Sequence, residues 1–275
     1  MKTRGLAVFS FLILIAFSCG NTKPQNDEAQ ILIKTEFGTI KIKLYDKTSE
    51  HKKNFEKLVN DGFYDALLFH RVIQNFMIQG GDPESKNAEP GKMLGGGSLD
   101  YTLPAEILPE YYHKRGAVAA ARRGGPSNPE KRSSASQFYI VQGKTFSEGA
   151  LDTLEMTKNQ QLINEMMREQ LTTVQAEIEQ FRANNDREGF NQKVAEIRMQ
   201  VDSLIEAQGL GFKFTEEQRK IYTTDGGYPS LDGDYTVFGE VVEGMDVVDK
   251  IAALKTDEKD RPLQNVKMEI ERIKN

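Results

Sequence analysis

"FHRVIQNFMIQGGD", residues 69–82, mixes two kinds of residue. Phe69, Val72, Ile73, Phe76, Met77 and Ile78 are the material of buried strands, yet His70, Arg71, Gln74, Asn75 and Gln79 are threaded among them. Gly80-Gly81-Asp82 closes the run, so the stretch reads as two strands about a turn at Gln74-Asn75. No carboxylate inside the apolar run pairs the arginine. A buried cation is costly unless its donors are satisfied. That cost marks the stretch as a candidate site.

Working outward, "ILIKTEFGTIKIKLYD" (31–46) alternates apolar and polar residues on each side of Gly38, the pattern of a strand pair. "TSEHKKNFEKLVNDGFYD" (48–65) reads as a short amphipathic helix, with Thr48 or Ser49 as N-cap and Phe55, Leu58 and Val59 as its stripe. Residues 83–115, rich in Pro and Gly, read as a long surface loop. Strands follow at 116–121, 136–143, 235–242 and 266–273, with a helix at 244–254. Short strands with two short helices imply a mainly β, closed antiparallel barrel.

Residues between Thr145 and Asp225 depart from this pattern. Ile163, Met167, Leu171, Val174, Ile178 and Phe181 recur at helical spacing; after "RANNDREG" the period resumes at Phe190, Val194, Ile197, Val201 and Leu204. The spacing predicts an α-helical hairpin whose stripes pack on each other. "FTEEQRKIY" (214–222) predicts a further helix with Thr215 as N-cap and Glu217 or Gln218 completing a capping box.

The chain has 275 residues and a net charge of -5, with no Lys/Arg-rich run, which gives no reason to expect nucleic acid. Its beginning is distinct. Lys2 and Arg4 precede an apolar run from Leu6 to Phe17, shorter than the ~20 residues a spanning helix needs. The sole cysteine, Cys19, follows in "AFSCG", which resembles a bacterial lipobox. The expectation is a signal peptide (1–18), a lipidated Cys19 with a flexible tether (19–30), and a mature chain without disulfides. Gly20 favours the outer membrane. Three scattered histidines and one cysteine form no zinc pattern, and "GKT" (143–145) lacks the upstream glycine of a phosphate loop. No metal and no cofactor are expected.

"FHRVIQNFMIQGGD" is similar to the signature of the cyclophilins, the barrel-shaped peptidyl-prolyl isomerases. "GAVAAAR" (116–122), "SASQFYI" (134–140) and "LDGDYTVFGEVVEGMDVVDKI" (231–251) arrive in that family's order. The resemblance implies a closed eight-stranded antiparallel barrel capped by two helices. Its parts would be residues 31–146 and 226–275, with the hairpin inserted at 147–225. It implies Arg71 as the catalytic arginine and Gln79 as the glutamine that orients it. Phe76, Met77, Tyr139 and Leu231 match the proline pocket, and Tyr235 stands where the pocket rim has histidine. Ala121, Arg122 and Gln137 match positions that hold the substrate backbone. Tyr139 replaces the usual phenylalanine and Arg122 a frequent asparagine. Ser230 takes the place of an aromatic that helps bind cyclosporin.

The implied function is isomerisation of X-Pro bonds in exported or envelope proteins by a monomeric lipoprotein, periplasm-facing or surface-exposed. The membrane would be met only through the lipid. The alternative is an anchored, chaperone-like binding module whose inserted hairpin docks a protein partner. His51 and His113 read as surface residues, and His70 as a strand residue directed away from the site.

Overall fold

The computed structural model describes residues 30–273. The signal segment and Cys19 lie outside them. β1 (Gln30–Thr35) and β2 (Gly38–Leu44) form the expected hairpin, and Ile31, Ile33, Ile40, Ile42 and Leu44 are fully buried. In α1 (Ser49–Asn60) the stripe Phe55, Leu58 and Val59 is buried, but Thr48 does not cap it: its hydroxyl donates to the Tyr45 carbonyl at 3.2 Å. The quoted stretch forms β3 (Phe69–Ile73) and β4 (Met77–Gly80), turning at Asn75, whose φ of 62° asparagine tolerates. At Gly81 (φ 87°) a Cβ would strike the Ser136 carbonyl, so the chain needs a glycine there.

The 83–115 segment is mostly irregular, as read, but carries β5 (Thr102–Leu103), which pairs with β7 (Ser133–Ser134). β6 (Ala117–Ala120), β8 (Phe138–Val141), β9 (Val237–Glu243), α6 (Met245–Ala252) and β10 (Glu269–Arg272) complete the mainly β part. The main sheet has eight antiparallel strands in the order β10-β1-β2-β9-β6-β8-β4-β3. Phe55, Phe138, Phe238, Val248 and Ile251 fill its interior together with α1 and α6.

The sheet is an open half-barrel, which corrects the expectation of a closed one. β3 and β10 are its edges: the segment before β10 touches the start of β3 through the isolated bridge Leu68–Lys267 and the bonds Phe69 N to Val266 O and Met268 N to Leu67 O, each 2.9 Å, but no strand ladder joins β10 to β3 among the described residues. The reason lies at the outer edge of β3. There Val72 N donates to the Asp260 carbonyl at 2.8 Å, so the turn around Asp260 covers the edge that a closing strand would need.

The inserted segment is helical. It comprises α2 (Glu148–Thr173), α3 (Gln175–Ala183), α4 (Arg187–Gln208) and α5 (Glu216–Thr224). The first run breaks at Val174, where the periodicity predicts continuity. Thr172, Thr173 and Val174 are β-branched, and both threonine hydroxyls bond back to carbonyls of the preceding turn, which weakens and bends a helix. The predicted box at α5 is present: Thr215 Oγ1 accepts from Gln218 N at 3.1 Å, and Gln218 Oε1 accepts from Thr215 N at 2.9 Å.

Candidate functional site

Strand alternation gives the sheet a second apolar face. Phe138 and Ile140 point into the interior; Tyr139 and Val141 join Met77, Ala117, Ala119 and Val237 on the other side. Directly paired residues share a face. Arg71 pairs with Gln79, Gln79 with Tyr139, Tyr139 with Ala119, and Ala119 with Val237, so one row crosses five strands.

A bulge places Arg71 in that row. Phe69 pairs with Gly80 and Arg71 with Gln79, so β3 carries one residue more than β4 at this point. The extra residue lets Phe69 and Val72 both enter the interior while Arg71 stays on the outer face. His70 takes up the slack and is buried; its pKa falls to about 4 because burial outweighs the attraction of Asp82.

Arg71 is not the buried, unpaired cation that the local sequence suggested. Its side chain is 42% exposed, and Nε donates to Asp260 Oδ2 at 3.3 Å. The partner lies 189 residues along the chain and arrives with the turn that covers β3. Gln79 stands beside Arg71 in register, yet its amide is engaged elsewhere: Nε2 donates to Gln137 Oε1 at 2.9 Å. Gln137 Nε2 in turn donates to the carbonyls of Gly95 (3.1 Å) and Gly97 (2.7 Å). Asp82 accepts from the backbone N–H groups of both glycines, which ties this loop to the end of β4.

Gln79, Ala121, Arg122 and Gln137 line a cleft of about 480 Å³ whose far wall is Gly95–Leu99 with Tyr101 and Arg132. Arg122 is held in place within it. Its Nε donates to the Asp234 carbonyl at 2.7 Å, and its guanidinium sits 4.6 Å from the centre of the Tyr235 ring. Phe76, Leu231 and Tyr235 pack around Met77 and Tyr139 as one apolar patch beside the cleft. The structure therefore gathers the predicted residues into two adjoining regions, a polar cleft and an apolar patch, with Gln79 at the join. Cys19 lies outside the described residues.

Sequence reasoning missed several neighbours. Tyr228 lies against Phe76, with ring centres 4.1 Å apart, and could have been suspected from its place in "GGYPSLDG". Asp260 carries no local signal. His51 and His113, read as surface residues, are both buried. His51 Nδ1 lies 2.6 Å from Glu106 Oε2, and burial, partly opposed by that carboxylate, lowers the His51 pKa. His113 lies between Asp232 and Tyr139, at 2.9 Å from each. Among the described residues no group of His, Cys, Asp and Glu could hold a metal ion.

The sequence profile of the family described as "Cyclophilin type peptidyl-prolyl cis-trans isomerase/CLD" matches residues 30–273. A Staphylococcus haemolyticus protein, provisionally named a peptidyl-prolyl cis-trans isomerase, is 27% identical over 250 residues, which cover 90% of this chain and 93% of that protein. In fold, the chain is similar to the crystal structure of a cyclophilin type peptidyl-prolyl cis-trans isomerase from Cryptosporidium parvum. The TM-score is 0.51 at 18% identity, covering 90% of this chain and 99% of the other. The same protein crystallised in the presence of the dipeptide Ala-Pro gives a TM-score of 0.50 at 18% identity, with the same coverage.

Proposed function

The chain belongs to the cyclophilin-type peptidyl-prolyl cis-trans isomerases and is such an isomerase, acting on proline-containing peptides; from that premise we propose how its residues act and where it works. The observation that supports the site is the row Arg71–Gln79–Tyr139, with the apolar patch on one side and the cleft on the other.

Rotation about an X-Pro bond meets a barrier of about 18–20 kcal/mol, because the amide nitrogen shares its lone pair with the carbonyl. Twisting the bond returns that pair to the nitrogen. A donor that engages it then binds the transition state more strongly than the ground state. Arg71 supplies the donor. Asp260 engages its Nε, which leaves the two Nη groups available as donors to a peptide. The pyrrolidine ring enters the patch of Phe76, Met77, Tyr139, Leu231 and Tyr235. Gln79 and Gln137 form the polar border, and Gln137 with the backbone at Ala121 and Arg122 holds the peptide that extends into the cleft. The reaction moves no proton and makes no covalent bond to the enzyme.

The same reading places the protein at the cell envelope, anchored through Cys19 and assisting the folding of exported proteins. It is supported by the lipobox-like "AFSCG" and by the position of the sole cysteine. No helix among the described residues is long and apolar enough to cross a membrane. Two or more acyl chains would anchor stably, at about 0.8 kcal/mol per buried methylene. A protease-coupled assay on an Xaa-Pro tetrapeptide tests the activity; no acceleration over the uncatalysed rate would end the isomerase reading. Cys19→Ser is expected to leave the membrane fraction of the producing cell. A variant that still sediments with membranes in detergent-free lysate would refute the anchor.

A further inference from the structure

Tyr139, a member of the proposed row, begins a buried polar chain that ends in the inserted helices. Its hydroxyl lies 2.9 Å from His113 Nε2, with the two rings nearly parallel at 14°. His113 Nδ1 donates to Asp232 Oδ1 at 2.9 Å, and the His113 backbone N–H donates to the same oxygen at 2.8 Å. The other carboxylate oxygen, Oδ2, accepts from the hydroxyl of Tyr222 in α5 at 2.5 Å. With the histidine proton on Nδ1, Nε2 is an acceptor, and the Tyr139 hydroxyl fills it. Three donors, the His113 backbone N–H, His113 Nδ1 and the Tyr222 hydroxyl, thus converge on one carboxylate. A phenylalanine at 139 would leave His113 Nε2 buried without a donor.

The far end of this chain is firmly held. Tyr222 is fully buried against Leu151 and Phe214, and Arg219 in the same helix bridges to Glu148 and Asp152 of α2, each at 2.8 Å. Gly227 has no room for a side chain, since a Cβ would lie 2.6 Å from the Tyr222 ring. A second tie comes from α2, where Lys158 Nζ donates to the Asp232 carbonyl at 2.7 Å. Asp232 directly follows Leu231, which lines the apolar patch. The insertion therefore grips the pocket wall at one residue from two helices.

We propose that Tyr222, with Lys158 in support, is a positioning residue of the isomerase: through Asp232 and His113 it fixes Tyr139 and Leu231 in the proline pocket. The inserted helices are then a structural part of the site and not an appendage beside it. The inference rests on the isomerase reading and deepens it. Tyr222 touches no substrate. It shapes a pocket that binds the proline ring in the ground state and the transition state alike, so its loss acts on KM.

The test uses the full-length protein and measures kcat and KM on an Xaa-Pro tetrapeptide for wild type, Tyr222→Phe, Tyr139→Phe and the double variant. Tyr222→Phe is expected to raise KM at least threefold with kcat within twofold of wild type. Because the two hydroxyls act through one chain, the double variant should be no worse than the worse single variant. An unchanged KM in folded Tyr222→Phe, a loss confined to kcat, or losses that multiply in the double variant would each overturn the proposal. If Tyr222→Phe does not fold, Lys158→Ala decides: a KM raised twofold or more supports the inference and an unchanged KM overturns it. Wild-type protein inactive on the peptide would remove the isomerase reading and this inference together. Active wild type with an unaltered Tyr222→Phe would remove the inference alone.

Discussion

The half-barrel and the inserted helices bury their apolar residues very differently. In the barrel, Ile31, Ile33, Ile40, Ile42, Leu44, Val118 and Ile140 are completely shielded, and Phe138 stands edge-on to Phe55 at 5.3 Å. In the insertion, α2 runs for 26 residues and buries only Leu151, at its base. Farther out, only Ile178, Ile197 and Val201 are buried. Both regions show the right hydrophobic period, but period fixes the kind of element and not how much of it is covered. The barrel holds itself by its core. The insertion is secured where its base meets the pocket and is thinly packed toward the tip, the condition under which local opening costs least.

Removal of a side chain from each region is the largest expected contrast. Phe138→Ala should lower global stability by about 3–5 kcal/mol in urea unfolding. Met156→Ala, at a position 72% exposed on α2, should stay within about 0.5 kcal/mol. Equal losses would show that the insertion is packed as tightly as the half-barrel.

Acid should act on the half-barrel first, because all three histidines belong to it and none lies in α2–α5. His70 titrates near pH 4 in the folded protein, below the ordinary histidine value of about 6.5. Between those values the unfolded chain binds the extra proton, so stability is full above about pH 6.5 and falls as the pH drops toward 4. From pH 7 to pH 5 the His70 contribution is a loss of about 2 kcal/mol, and His70→Gln should flatten that slope. Parallel slopes for wild type and variant would exclude His70 as the cause.

Much of this architecture was readable in the sequence, for reasons that mark the limits. The alternation at 31–44, the stripe Phe55-Leu58-Val59 and the box Thr215–Gln218 are local patterns, and each forms the element it predicts. The bulge at His70 follows from matching β3 to β4, so no pattern within β3 alone reveals it. Asp260 beside Arg71 and Asp232 beside His113 are joined by tertiary folding across 189 and 119 residues. The two histidines read as exposed are buried, each with Nδ1 against a carboxylate from a distant segment, and residue type alone carries no trace of such a partner. The closed barrel failed for the same reason: the turn that covers β3 is set by long-range packing.

The smallest effect concerns the base of the insertion. Thr215→Ala removes the cap of α5 and should cost about 1 kcal/mol, seen as faster hydrogen exchange of the α5 amides. Exchange rates unchanged in α5 would show that burial of Tyr222 alone holds that helix.

In the proposed mechanism Arg71, held by Asp260 in the row with Gln79 and Tyr139, stabilises the twisted X-Pro bond. This role is tested most directly by kcat/KM of Arg71→Ala on an Xaa-Pro tetrapeptide, with circular dichroism to establish that the variant is folded. The expected result is a fall of at least tenfold, about 1.4 kcal/mol of transition-state stabilisation. A folded Arg71→Ala protein with the wild-type kcat/KM would contradict it.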